Sequence, residues 1–384
     1  SGVRSQESGV RSQESGVRPV VSFCIPAYNK AETVRKIING ILISDDPRFE
    51  VVVCDNASTD NTQEVLSQIH DERFKYFRNN EGITPFRNWF KALGLGCGEW
   101  LFLVISRDKI NGEYIPQLIE FLDYAEKNNI SYLYDGYSKY PQLLEYSGID
   151  AMIHFIDYHH PTGSIFNGSL FRVISEQDKE YYITHSDVYP ENFLRRDLLL
   201  QGNGAYIMSG VYTPPALLID ISQIKSTVDH DKDLYDLYYA PRRRTIGFFE
   251  FIDMLESCNF TASDLDKFFR AKFSGVLSTV SIGWKYACAN YEWQAHYGQT
   301  VRHISIAEMI RNIFTAYNDT KSHLRENGTL TPSRQRIMRF CLVKTLVKVL
   351  VYWPVKGAAK KILEPLGIWK VLKTLKRKIK NSPA

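Results

Sequence analysis

The stretch that most constrains this chain is Gly98-Glu99-Trp100-Leu101-Phe102-Leu103-Val104-Ile105-Ser106-Arg107-Asp108-Lys109-Ile110. Six apolar residues in a row are too few for a buried helix, and the glycine and polar residues around them mark a strand covered on both faces. The strand runs straight into Ser-Arg-Asp-Lys, which delivers three charges to its carboxyl edge. Open α/β sheets take up ligands at that edge. A solvated turn explains one such cluster equally well, so the segments upstream carry the decision.

Those segments alternate. Val20 to Ile25, Glu50 to Cys54 and Phe74 to Phe77 have strand composition, while Ala31 to Ile43, Thr59 to Ile69 and Pro85 to Leu93 have helical spacing. Ser58 or Thr59 is the expected cap of the second helix, with Asp60 near its positive end. After the central strand, Gly112 to Glu126 reads as a helix and Ile130 to Tyr134 as a strand. Such alternation predicts right-handed crossovers and an α/β fold with a mostly parallel sheet. A loop-rich region follows, containing His159 to Asn167 and His185 to Asn192, before a helix that Gly202 stops. Past residue 222 the strand signals fade. Phe248 to Glu256, Ala262 to Ser278, Val280 to Tyr291 and Ile304 to Asn318 then predict a mainly helical region.

Composition supports this layout: 384 residues, 44% apolar and 23% charged, suffice for two cores. Six cysteines show no C-x-x-C pair, so neither a zinc site nor a disulfide framework is expected, and the compartment is read as reducing and cytosolic. No apolar run reaches 18 residues and no apolar leader opens the chain, so neither a transmembrane helix nor a signal peptide is expected. Charge is uneven. From Arg334 onward there are 14 Lys and Arg against one acid, Glu364, which leaves −9 on the rest of a chain of net +4. Val343, Leu346, Val347 and Leu350 make one apolar stripe in this tail, and Ile368, Leu372, Leu375 and Ile379 another bordered by lysines. Basic amphipathic helices of this kind lie on anionic leaflets, each cation adding about 1 kcal/mol; packing on the helical region with a solvated basic face is the alternative. The expected divisions are residues 1–18, a flexible heptad-repeat extension; 19–221, the α/β domain; 222–333, the helical region; and 334–384, a membrane-associating tail.

Four segments end at one sheet edge: Pro26-Ala27-Tyr28-Asn29 with Glu32; Asp55 to Asp60; Arg78 to Gly82 with Arg87 and Asn88; and Ser106 to Lys109. A carboxylate at a strand end can accept a base N–H, and oriented loop amides suit a diphosphate. With these motifs the chain resembles the family-2 glycosyltransferases of GT-A fold. Val21 to Asn29 follow the pattern V-S-(I/V)-x-(I/V)-P-x-Y-N, and Val52 to Asp60 follow (V/I)-V-D-(D/N)-x-S-x-D with Cys54 inserted. Asn80-Glu81-Gly82 and Gly98 to Leu103 supply the next two motifs. His160 to Gly163 and Tyr189 to Glu191 are similar to segments of bacterial capsule and O-antigen members.

The resemblance implies a Rossmann-like GT-A sheet with helices on both faces and an inverting transferase using a UDP-sugar donor. Pro26, Tyr28 and Asn29 would cradle the nucleotide, Glu32 would contact the ribose or order the loop, and Asp55 would accept the uracil N–H. Asn80, Arg87, Arg107, Asp108 and Lys109 complete the expected donor site. Family members usually carry an acidic metal motif, whereas here Arg107 and Lys109 flank Asp108. Either Mg²⁺ or Mn²⁺ is held by Asp108 and the diphosphate alone, or the two cations neutralise the leaving group and the metal is dispensable. The acceptor hydroxyl needs a base. Glu191 has the family spacing to Gly202, and Asp187 is the other candidate. The expected partners are a nucleotide sugar, a lipid-linked glycan and an anionic membrane surface at the cytoplasmic face of a bacterial inner membrane, with no nucleic acid. The rival reading is an inactive nucleotide-sugar-binding scaffold of a polysaccharide assembly complex.

Overall fold

The structure is a computed structural model that describes residues 18–106, 108–136, 143–157, 159–186, 190–212, 240–290 and 301–352. The heptad repeats, Arg107, Asp187 and the second basic stripe lie outside the described residues. Strand β1 (Val21–Ala27) leads to α1 (Ala31–Leu42), β2 (Phe49–Asp55), α2 (Thr62–Ser67), β3 (Phe74–Arg78), α3 (Pro85–Leu95) and β4 (Trp100–Leu103). Then come α4 (Ile115–Lys127), β5 (Ile130–Asp135), β6 (Leu143–Tyr146), α5 (Gly148–Phe155), β7 (Ser164–Asn167), α6 (Gly168–Val173), α7 (Glu176–His185), α8 (Glu191–Leu199) and β8 (Asn203–Ile207). The remainder is helical: α9 (Pro241–Glu256), α10 (Ala262–Ser278), α11 (Trp284–Ala289), α12 (Ile306–Glu326) and α13 (Pro332–Val347).

Among the described residues the eight strands form one sheet in the order β3-β2-β1-β4-β7-β5-β8-β6. Strands β1 to β4 are parallel, as are β5 and β8, whereas β7 and β6 run against their neighbours. Apolar strands covered by α1 and α4 make the core: Phe23, Val51 and Phe102 cluster with Val34, Ile38, Leu118 and Leu122. From β1 the chain builds the sheet outward in both directions, through β2 and β3 on one side and β4 on the other. That reversal is the switch point at which parallel sheets open.

One residue sets where it opens. Even-numbered residues of β1 face β4, as the bonds from Trp100 N to Val20 O and from Val104 N to Cys24 O show, each 2.9 Å. The next rung of a parallel ladder needs an N–H from residue 26, and proline has none. Pairing accordingly stops at Cys24 and Leu103, while β1 and β2 stay paired to Ala27 and Asp55. At the opposite end a buried carboxylate ties three strands together. Glu50 accepts from Ser22 Oγ at 2.5 Å, from Cys97 N at 2.6 Å and from Lys75 Nζ at 2.7 Å. Ser22 Oγ accepts in turn from Gly98 N, and a Cβ on Gly98 would lie 2.7 Å from Ser22 N, so only glycine fits there.

Chain contacts separate a second unit: Ser147–Asp157, Thr184–Phe193 and the chain from Ala216. Its core is aromatic, with Phe248, Phe269, Phe273 and Trp284 packed on Met309, Ile313, Ile337 and Met338. Arg334 of α13 is buried among them, ion-paired to Glu256 at 2.5 Å and facing the Phe269 ring.

Several local expectations need correction. Helix α2 begins at Thr62 rather than Thr59, because Ser58 spends its hydroxyl on Asp55 instead of capping. The loop-rich stretch holds β7, α6 and α7; β7 is only four residues long, too short for its period to stand out. The expected helix over Val280–Tyr291 is a π-helical turn, Thr279–Gly283, followed by α11. Replacing Glu50 with Ala leaves the Ser22 hydroxyl, the Cys97 amide and the Lys75 ammonium unmatched, and should cost about 2–3 kcal/mol in urea denaturation.

Candidate active site

Strands β2 and β4 flank β1 and run the same way, so Asp55 and the turn after β4 reach one edge about 10 Å apart, two strand spacings. The carboxylate of Asp55 is fully buried and takes four donors. Ser58 N and Oγ meet one oxygen at 3.0 and 2.5 Å, while Tyr76 Oη and Arg78 Nη1 meet the other at 2.6 Å each. Burial pushes this carboxyl up, but the hydrogen bonds from Ser58, Tyr76 and Arg78 outweigh it and hold the group below the usual carboxylate range. Arg78 also donates to Ser58 O. Its guanidinium is therefore fixed at the rim of the crevice, a cation that the sequence reading placed in the right segment without giving it a role.

Asn29 staples the first loop to the second. Its backbone adopts φ of +50°, a conformation asparagine tolerates, its N–H donates to Ser58 Oγ at 2.9 Å and its Oδ1 accepts from Thr59 N at 2.7 Å. Beside it Ala57 holds φ of +55°, a strained value for a residue with a Cβ. Pro26 is buried in β1, while Tyr28 is half exposed above it. The third segment is held by a buried asparagine cluster that the sequence reading missed. Asn79 Nδ2 donates to Asn56 and Asn88 at 3.0 Å each, and Asn56 bonds both the N–H and the carbonyl of Ile83. Asn80, the residue expected to bind, is exposed beside this cluster. The repeated asparagines at 56, 79 and 88 were the available signal.

Asp108 is buried where β4 ends. Thr162 Oγ1 donates to its Oδ2 at 2.5 Å and accepts from Ile105 N at 2.8 Å, the backbone amide just past β4. His160 Nδ1 lies 3.6 Å from the same oxygen, and the ring stacks on Tyr212. Gly163 makes this approach possible: at φ of +99° its missing Cβ would sit 2.6 Å from Asp135 O. Asp135, at the end of β5, is fully buried and accepts from Ser209 N, Ser209 Oγ and Tyr212 N. Burial raises its carboxyl to about 6 in spite of those donors.

Lys109 is exposed next to Asp108. Glu32 is exposed and paired with Arg35, and Arg87 is paired with Glu180 of α7. Glu191 is buried at the first position of α8, where the helix dipole favours a carboxylate, and is grouped with the second unit. Arg195 of the same helix is fully buried and donates to Ser164 Oγ of β7 at 3.1 Å.

A divalent ion is implied by the resemblance. Among the described residues no three His, Cys, Asp or Glu side chains group to hold one. Asp108 presents a single carboxylate with one oxygen already engaged, which fits an ion that shares its ligands with a bound diphosphate.

Residues 22–198, just under half of the chain, match the sequence model of glycosyl transferase family 2. Relatives include TuaG of Bacillus subtilis, provisionally named as a teichuronic acid biosynthesis glycosyltransferase, 29% identical over 140 residues. That alignment covers 35% of this chain and 53% of TuaG. The UDP-Glc:alpha-D-GlcNAc-diphosphoundecaprenol beta-1,3-glucosyltransferase WfgD of Escherichia coli is 30% identical over 120 residues, covering 31% of this chain and 46% of WfgD. The chain thus spans about half the length of these relatives. Among solved structures, TarS of S. aureus superposes with a TM-score of 0.50 at 15% identity over 86% of this chain and 54% of TarS, a likeness of fold.

Asp55 and Asp135 act oppositely with pH. Asp55 adds stability above the ordinary carboxyl range and loses it as pH falls through its lowered folded value. Asp135, raised to about 6, binds its proton earlier in the folded state, so its contribution grows as pH falls from above 6 toward 4. Relative to wild type, Asp135→Asn should therefore lose roughly 1 kcal/mol of the stability change between pH 7 and pH 5, measured by urea denaturation at both values.

Proposed function

We propose that the chain is an inverting glycosyltransferase that moves one sugar from a UDP-sugar to a lipid-linked oligosaccharide in bacterial surface polysaccharide synthesis. The observation that carries this reading is the family 2 match over residues 22–198, laid on the sheet edge where the β1–β4 pairing ends before Pro26. The names of TuaG and WfgD, the latter with a UDP-sugar donor and a diphosphoundecaprenol acceptor, support the substrate classes.

In this reading Pro26, Tyr28 and Asn29 shape the nucleotide loop, with Glu32 and Asn80 at its rim. Asp55 orients Arg78 and meets the base edge when one of its four donors gives way. Arg107, Lys109 and Arg87 supply positive charge to the departing diphosphate, which lowers the barrier in proportion to the negative charge it develops. A Mg²⁺ or Mn²⁺ ion on Asp108 would add Lewis-acid neutralisation of that same group. Glu191 takes the proton of the acceptor hydroxyl as its oxygen attacks the anomeric carbon, and Asp187 is the second candidate for that step. The chain then works as a peripheral enzyme at the cytoplasmic membrane face, held by its basic C-terminal segment. Among the described residues no helix is long and apolar enough to cross a membrane.

Nucleotide sugars screened by thermal shift should give the largest rise in Tm with UDP-sugars, reflecting about 2.7 kcal/mol of added stability at a hundred times Kd. No shift with any nucleotide sugar would overturn the reading. Glu191→Gln should keep that shift and lose 10²- to 10⁴-fold of transfer, on the order expected for a missing general base. EDTA should leave transfer largely intact if Arg107 and Lys109 do the neutralising; abolition reversed by Mn²⁺ would assign that work to an ion on Asp108. The flanking cations also favour one second reading, an inactive scaffold, which would bind donor yet neither hydrolyse nor transfer it.

A further inference from the structure

Helix α13 is apolar on two sides. Its inner side places Ile337, Met338 and Cys341 in the core of the second unit, continued by Val349 in the π-helical turn that follows. On the other side Phe340, Val343, Val347 and Leu350 are 60%, 60%, 52% and 50% exposed. Intervals of three and four residues align Phe340, Val343 and Val347 in one ridge along the helix, and Leu350 follows in the π-helical turn beyond it. Leu346, which the sequence stripe included, packs toward the core instead, and Phe340 takes its place. A helix with apolar surface on both sides expects cover on both, and a ridge of this length marks a contact.

The chemistry around the ridge selects the partner. Arg336, Arg339 and Lys344 are exposed along it, and no acid occurs from Pro332 to Tyr352. At its start a cleft of about 360 Å³ is lined by Arg270, Ser333, Arg336, Ile337 and Phe340. Among the described residues Arg270 and Arg336 have no ion-pair partner, whereas Arg334 on the inner side is bound by Glu256 and Asp266. Two guanidinium groups beside a hydroxyl, next to an apolar ridge, form a donor set for a phosphate whose remainder is hydrocarbon.

We infer that this face docks on an anionic bilayer, with the Phe340-Val343-Val347-Leu350 ridge at the acyl boundary and a phospholipid phosphate between Arg270 and Arg336. The inference rests on the reading of a membrane-surface enzyme and gives that contact a defined place in the folded unit. The chain's own residues 353–384 are the poorer cover. They carry nine Lys and Arg against one acid, so they repel the cations beside the ridge and are drawn to the same anionic surface.

Co-sedimentation of the full chain with phosphatidylglycerol vesicles, against phosphatidylcholine vesicles, tests this. Wild type should bind the anionic vesicles and not the neutral ones. Arg270→Gln with Arg336→Gln should weaken binding by roughly thirtyfold, the loss of two surface cations. Phe340→Ser with Val347→Ser should weaken it by about tenfold or more, and Phe340→Leu should restore it. Melting temperatures and the shift given by a nucleotide sugar should stay at wild-type values in all three, so loss of donor binding and loss of docking read separately. Wild-type vesicle binding by both double variants would overturn the inference, giving the contact to residues 353–384. So would a dimer of wild type that the ridge variant disperses, or binding of RNA in preference to vesicles.

Discussion

A missing N–H in the centre of a sheet is the constraint on which the crevice depends. Strand β1 is paired on both sides, a position from which proline is ordinarily absent because it cannot donate to the ladder. Pro26 sits in that strand at the first rung beyond the β1–β4 pairing, on the side facing β4. Moved two residues earlier, it would break the core; at this position it ends the ladder. Pairing with β2 is unaffected, so Asp55 stays in register with Ala27 while the other side opens.

An opening at the edge of a sheet exposes loops that must be held without regular structure, and here buried polar groups do the holding. Asp55, Ser58, Tyr76 and Arg78 form one cluster, Asn56, Asn79 and Asn88 a second, and Asp108 with Thr162 and Ile105 a third. Each replaces water with fixed partners, which is tolerable only because the donors and acceptors match. Backbone strain at Ala57 is retained inside the first cluster. The loops at this sheet edge are therefore held in place by buried polar partners rather than by regular structure.

Charge is distributed with a similar division. Carboxylates that shape the crevice are buried and hydrogen-bonded, whereas cations such as Arg78 and Lys109 stand toward solvent. The second unit repeats the pattern on α13, with Arg334 paired inside and Arg336 open outside. Cations therefore stand outward in both units, Arg78 at the sheet edge tied to Asp55 and Arg336 on the helix face with no ion-pair partner among the described residues.

The alternation of short apolar runs with amphipathic segments was enough to read an α/β sheet, its first four strands and the four loops meeting at one edge, because those features are local and periodic. Asp55 and Asp108 were legible for the same reason, as polar residues terminating apolar runs. The reversed strand β7 between β4 and β5 was not, since four residues carry no period and pairing direction is set by partners far along the chain. Nor could spacing show that Thr162 and His160 would meet Asp108 across more than fifty residues, that Asn79 rather than Asn80 would be buried, or that Leu346 would turn inward while Phe340 stayed out. Sequence determined which segments become strands and helices through local patterning; only the tertiary structure decided which polar groups face each other, because that depends on strand order and close packing.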